Sequence, residues 1–294
     1  MLTLNSLTSN LLSILTAILI FSNAGGQVFP NYLKEHAVKI ERLDSLNKQV
    51  YNLLSDNRLI MIGEMHGTNE PAKFVTGLAK LFADHDDSVQ VGFEIPSSQM
   101  TAFSKSHTDK SIFQSGFFSQ RSTDGRASIA WATAISVISK ISKAQIFFYD
   151  VNEEDFSDRR DSVMYLNIKS KLLEHPTWKT ITLSGNIHNM LLPFRGENKT
   201  ANYLSNDIEL NLEDNLCSLN HRYQKGTANN NRGNGLQIYD MGNIETEYST
   251  TVNFDNYLFL FPINYNDKYD GIFFTRIISA AKLANQSLGD AGNK

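Results

Sequence analysis

Four short apolar runs, each ending on polar or small residues, constrain this chain more than any other feature. Leu59-Ile60-Met61-Ile62 runs into Gly63-Glu64-Met65-His66-Gly67. Val89-Gln90-Val91-Gly92-Phe93-Glu94-Ile95 stops at Pro96, and Ile146-Phe147-Phe148-Tyr149 ends at Asp150. Ile181-Thr182-Leu183 leads into Gly185-Asn186, with His188 close behind. Runs of this length, bounded by turn residues, suit strands buried on both faces. The stretches between them carry helical periodicity. Pro71 suits a first helical turn, with Glu70 near the positive end of the helix dipole, and Phe74, Val75, Leu78, Leu81 and Phe82 form one apolar stripe. A second helix is expected over 126–143 through Ile129, Ala132, Ile135, Ile138 and Ile141. A third, capped by Ser157, reaches about Leu173 through Met164, Ile168 and Leu172. Strands that alternate with helices imply βαβ units, hence an α/β fold with a mostly parallel sheet and helices on both faces.

The flanking regions are read on the same grounds. Residues 31–57 space Leu33, Val38, Ile40, Leu43, Leu46, Val50 and Leu53 as an amphipathic helical lead-in. Residues 195–235 are polar, with Asn229-Asn230-Asn231 and several glycines, and are expected to form a long surface insertion. Strand character returns at 236–239, 257–261 and 272–275.

With 294 residues, 41% hydrophobic and 20% charged, the chain can bury a core, and residues 27–294 are expected to form one α/β domain. A net charge of -4 without a basic stripe argues against a nucleic-acid partner. The single cysteine, Cys217, rules out an internal disulfide and a cysteine zinc site. At the N-terminus, Leu11 to Phe21 is unbroken by charge and too short to span a bilayer comfortably, and Ser22-Asn23-Ala24 offers a small-residue cleavage site. Residues 1–24 are therefore expected to be a signal peptide, although the first ten residues carry no Lys or Arg. The mature chain is expected in the periplasm or outside the cell, with no stable membrane span.

In open α/β sheets, ligands bind outside the carboxyl ends of the strands. That rule turns the strand ends into a candidate site. Glu64 and His66, two residues apart in extended backbone, face the same side. Glu94 and His188 stand at two further strand ends, and Asp150 at a fourth, where an ordinary turn role competes. The remaining histidines, His36, His85, His107, His175 and His221, show no partner pattern and are expected at the surface. Two chemistries stay open. Glu64, His66 and His188 form a candidate metal set for a divalent Zn, Mn or Fe ion that activates water. Without metal, His66 acts as general base, its tautomer fixed by a carboxylate. No G-x-S-x-G elbow and no phosphate-binding glycine loop occurs.

Gly63-Glu64-Met65-His66-Gly67-Thr68-Asn69-Glu70 resembles the first-strand element of a superfamily that includes the erythromycin esterases, the ChaN-type haem-binding proteins and the TIKI/TraB metalloproteases. The Glu–His spacing is closer to the ChaN and TIKI branches, whereas the His-Gly-Thr-x-Glu tail resembles the esterase branch. Gly92-Phe93-Glu94, Arg160-Asp161-Ser162-Val163-Met164 with Asn167, Gly185-Asn186-Ile187-His188-Asn189 and Tyr269-Asp270-Gly271-Ile272 resemble later elements, so the likeness spans roughly residues 58–276. It implies an EreA/ChaN-like fold with Glu64, His66, Glu94 and His188 as site residues, and Arg126 and Arg160 as binders of an anionic substrate group. The implied activity is hydrolysis of an ester or amide bond in a small-molecule or peptide substrate. The alternative is haem or iron binding, for which Tyr149 and His66 are the conceivable axial ligands.

Overall fold

The computed structural model describes residues 29–105, 116–119, 123–152, 159–262, 265 and 268–285. The expected signal segment, His107 and the expected cap Ser157 lie outside the described residues.

Nine strands form one mixed, mostly parallel sheet. They are β1 (Val38–Lys39), β2 (Leu59–Glu64), β3 (Val89–Pro96), β4 (Ala144–Asp150), β5 (Lys179–Gly185), β6 (Leu216–Asn231), β7 (Leu236–Asn243), β8 (Asn256–Leu260) and β9 (Gly271–Ile278). Their spatial order is β1-β8-β9-β6-β2-β5-β3-β4, with β7 antiparallel to the distal half of β6. The run from β9 through β6, β2, β5 and β3 to β4 is parallel throughout, and β8 and β1 add an antiparallel edge. All six residues of β2 are buried, as their apolar run requires. Ile60 and Ile62 pack into one core with Phe74, Leu78, Trp131 and Ile135, while Leu59 and Met61 face the other with Met164, Ile168, Leu172 and Leu204. Helices α1 (Lys48–Leu54), α2 (Glu70–Asp84) and α3 (Ile129–Ile138) pack in the first core, and α4 (Arg160–Glu174) and α5 (Thr200–Ser205) in the second. Helices thus cover both faces of the sheet.

The sequence expectations hold for the four core strands and for the helix that begins at Glu70-Pro71. The helix expected over 126–143 is shorter, because the Ser128 side chain caps it at Trp131 N and it closes at Ser139. Two larger expectations are corrected. The lead-in over 31–57 is not one helix: it breaks after residue 36, Val38 pairs with Leu258 in β8, and α1 starts only where Asn47 Oδ1 accepts from Gln49 N and Val50 N. The polar stretch 195–235 is not a surface insertion. It contains α5 and β6, and β6 sits between β2 and β9 with Leu216 to His221 all buried. Most of its polar groups, backbone and side chain, find internal partners. Ser218 Oγ donates to Asn189 O, Ser218 N donates to Asp270 Oδ2 at 2.8 Å, and His221 N donates to Asn186 Oδ1 at 2.9 Å. His221 is likewise a core residue, not a surface one, stacked on Phe273 at 4.9 Å between ring centroids.

Candidate active site

The parallel order places the carboxyl ends of β2, β5, β3 and β4 side by side. Glu64 ends β2, Gly185 ends β5, Glu94 lies near the end of β3 and Asp150 ends β4. A 3-10 turn, Asn186–Asn189, carries His188 directly after β5. The loop after β2 bends back through Gly67, whose φ of 77° is open to glycine at little cost. That loop is pinned from behind by the long strand β6. Asn229 N donates to Gly67 O at 3.0 Å, and Asn230 Nδ2 donates to His66 O at 3.1 Å. An added Cβ at Gly67 would lie 1.9 Å from Asn229 O, and one at Gly125 would lie 2.1 Å from the same atom. Three backbone segments therefore meet with no room for a side chain.

Glu94 is the centre of the site, with no exposed surface. Its Oε1 accepts from Arg126 Nη1 at 3.0 Å and from Arg160 Nη2, and its Oε2 accepts from Gly185 N at 2.7 Å. The two imidazoles approach the same carboxylate: His66 Nε2 lies 3.9 Å from Oε2 and His188 Nε2 lies 3.6 Å from Oε1. Each ring is held from its other nitrogen. His66 Nδ1 is 2.6 Å from Glu64 Oε1, and His188 Nδ1 is 2.7 Å from Asp161 Oδ1. The indole of Trp131 donates to the second oxygen of Glu64 at 3.0 Å. The rings share the floor of the site as well, because a Cβ placed on Gly185 would be 2.9 Å from His66 Nε2 and 3.7 Å from His188 Cδ2.

Asp150 belongs to the site. Arg160 binds it through Nε and Nη2 at 2.8 and 2.7 Å, and Arg126 Nη1 adds a contact at 2.8 Å. Arg126 Nε is taken by Asp124 at 2.8 Å. Both guanidiniums thus neutralise internal carboxylates, and this network leaves the anion-binding role expected of them without support. Burial alone would push the Glu94 carboxyl up, but the charges of Arg126, His188, His66 and Arg160 outweigh it and hold Glu94 well below its ordinary value. Burial lifts the Glu64 carboxyl above its ordinary value, against the hydrogen bonds from His66 and Trp131. Burial also opposes a proton on His66, yet the Glu94 charge and the Glu64 hydrogen bond and charge raise that imidazole above its usual value.

All four site residues expected from the strand ends, Glu64, His66, Glu94 and His188, converge here. Asp161, Trp131 and Asn230 escaped sequence reasoning. Trp131 and Asn230 reach the site only through packing, whereas Asp161 is adjacent to Arg160 in a stretch already noted for its resemblance. A metal fits this arrangement poorly. Both Nδ1 atoms face carboxylates, both Nε2 atoms face a carboxylate already neutralised by two guanidiniums, and among the described residues no group of three His, Cys, Asp or Glu is set to hold an ion.

No family model matches the sequence, and no curated protein matches it. Solved structures do. A Bacillus cereus protein is similar at 10% identity and a TM-score of 0.64, over 86% of this chain and 98% of that one. A structure described as a succinoglycan biosynthesis protein is similar at 9% identity and a TM-score of 0.62, over 86% of this chain and 97% of that one. A variant of the erythromycin esterase EreC in its open conformation is similar at 11% identity and a TM-score of 0.50, over 84% of this chain and 98% of that one. At these identities the likeness is one of fold alone: the chain shares the α/β fold of these structures, the erythromycin esterase among them.

Proposed function

We propose that the chain is a metal-independent hydrolase that cleaves an ester or amide bond, with His66 as general base. One observation carries this reading: two imidazoles, each anchored at Nδ1 by a carboxylate, bring Nε2 to the two oxygens of one carboxylate, Glu94. His66 takes a proton from water as the oxygen attacks the carbonyl carbon, and Glu64 steadies the imidazolium. His188, whose Nε2 lies 3.6 Å from the other oxygen of Glu94, protonates the departing atom. Glu94, tied to both arginines and to Gly185 N, fixes the spacing of the two rings. The fold shared with an erythromycin esterase supports a hydrolase of this kind, not its substrate. Haem binding gains nothing from the geometry, because Tyr149 is buried with its hydroxyl donated to Leu183 O. Among the described residues no helix is long and apolar enough to cross a membrane. Export remains part of the proposal, and N-terminal sequencing of the mature protein tests cleavage after Ala24.

The test of function is a panel of esters, lactones and peptides, assayed with and without chelator on wild type, His66→Ala and His188→Ala, with elemental analysis of the same samples. The proposal expects turnover that survives chelator and is abolished by His66→Ala. Stoichiometric bound metal lost in both variants, or no turnover on any substrate, overturns it.

A further inference from the structure

We propose that Asp161 is the positioning residue of His188, giving the site a second carboxylate–imidazole pair in which His188 keeps its proton on Nδ1 and turns Nε2 to the substrate. The role in turnover rests on the hydrolase reading above; the hold on the ring does not.

The geometry is specific. Asp161 lies in the first turn of α4, where the helix dipole favours a negative charge. Its neighbour Arg160 reaches Asp150 and Glu94, so one helical turn serves both halves of the site. Among the described residues, every group bonded to the Asp161 carboxylate is a donor. Oδ1 accepts from His188 Nδ1 at 2.7 Å, Thr200 Oγ1 at 2.8 Å and Thr200 N at 3.0 Å, while Oδ2 faces Lys199 Nζ at 3.4 Å. With no donor of its own, an ionised carboxylate requires the imidazole to supply the Nδ1 proton. The pair matches the first one in plan, since Glu64 also gives one oxygen to an imidazole and the other to a fixed donor.

The two pairs differ in setting. The Glu64 side chain is sealed, whereas that of Asp161 is 13% exposed and borders a polar cleft of about 270 Å³ with Ser162, Glu197, Asn198 and Tyr203. This difference divides the labour. In the forward step the O–C bond forms as the water proton passes to His66 Nε2. The bond to the leaving oxygen or nitrogen breaks as that atom takes the proton from His188 Nε2. Resetting moves one proton from His66 to His188 through solvent, so no further reactant is needed.

The experiment is long-range proton–nitrogen NMR on histidine-labelled protein, with His188→Ala to assign the ring. At the alkaline end of a titration, wild-type His188 should be in the Nδ1-protonated tautomer. Asp161→Ala should convert it to a mixture, Asp161→Asn should retain it through the amide oxygen, and the His66 signals should not move in either. A circular dichroism melt confirms that both variants fold. On any ester or amide that the wild type turns over, Asp161→Ala should lower kcat on the order of 10²-fold with KM little changed, and Asp161→Asn should lower it less. A wild-type His188 protonated on Nε2, or a tautomer unchanged in folded Asp161→Ala, overturns the proposal. If the wild type turns over nothing, the hydrolase reading falls, and the tautomer result alone decides whether Asp161 holds the ring.

Discussion

Glu94 is a fully buried carboxylate that touches two guanidiniums, two imidazoles and a backbone N–H. Removing its charge leaves Arg126 with Asp150 and Asp124, and Arg160 with Asp150. Breaking a buried ion pair from one side is costly, so Glu94→Gln should lose about 3 kcal/mol of stability, read by chemical denaturation at neutral pH. A loss below about 1 kcal/mol would show that Asp150 alone suffices. Because the folded carboxyl sits below its ordinary value, this contribution is complete above that value and disappears as pH falls through it toward the folded one. The His66 shift has the opposite direction. A general base must be neutral, so activity should rise with pH through a midpoint above the usual 6.5 of histidine, and a midpoint at or below that value counts against His66 as the base. His221 gives a second acid response. Burial pushes it down to about 3, so between 6.5 and about 3 the unfolded chain binds a proton that the folded chain refuses. Stability is complete above 6.5 and falls by roughly 5 kcal/mol across that window as pH drops. His221→Phe should flatten this dependence, because the ring stacks on Phe273 and its Nδ1 has no partner among the described residues; denaturation midpoints at neutral and acid pH read the difference. At this scale the strand-end residues were legible because their position alone places them in the site. His221 was not, since nothing in a polar neighbourhood announces that its neighbours are satisfied internally.

Elements explain what individual residues cannot. The polar β6 carries the deepest misreading: Asn220 and His221 look like loop residues, yet they fill the middle of the sheet. Asn186 accounts for part of this. Its side chain donates to His221 O at 3.2 Å and accepts from His221 N at 2.9 Å, an amide that replaces a strand partner at the point where β6 leaves β2. That clamp, absent from any periodicity, joins the His188 turn to the strand that props the His66 loop. The floor of the site is set by β5. Gly185 has ordinary extended geometry, so a side chain there strains the backbone little and is opposed by the imidazoles instead. Gly185→Ala should therefore keep its melting temperature within a few degrees and lose turnover at least tenfold as His66 is pushed aside. A well-folded variant with full activity would show that the ring yields without consequence.

At the scale of the whole molecule, chain order and sheet order disagree. Among the parallel strands β2, β3 and β4 come first in sequence, but β5 inserts between β2 and β3, and β6 then covers the other edge of β2. The alternation of strands and helices foretold a parallel sheet, and no local pattern could foretell this order, because it depends on which edges remain open when later strands arrive. A chain truncated near residue 210 lacks β6 and leaves β2 with a bare apolar edge. Such a fragment should be recovered in the insoluble fraction, and a soluble monomer with a cooperative melt would contradict the importance of that edge.

The late insertion of β5 has a consequence for synthesis. Over a hundred residues separate β2 from β5, and β6 follows later still, so a chain growing on the ribosome holds Glu64 and His66 long before Gly185 and His188 can join them. The reacting centre is then assembled only at the end of folding, and an unfinished chain carries the parts of a catalyst without being one.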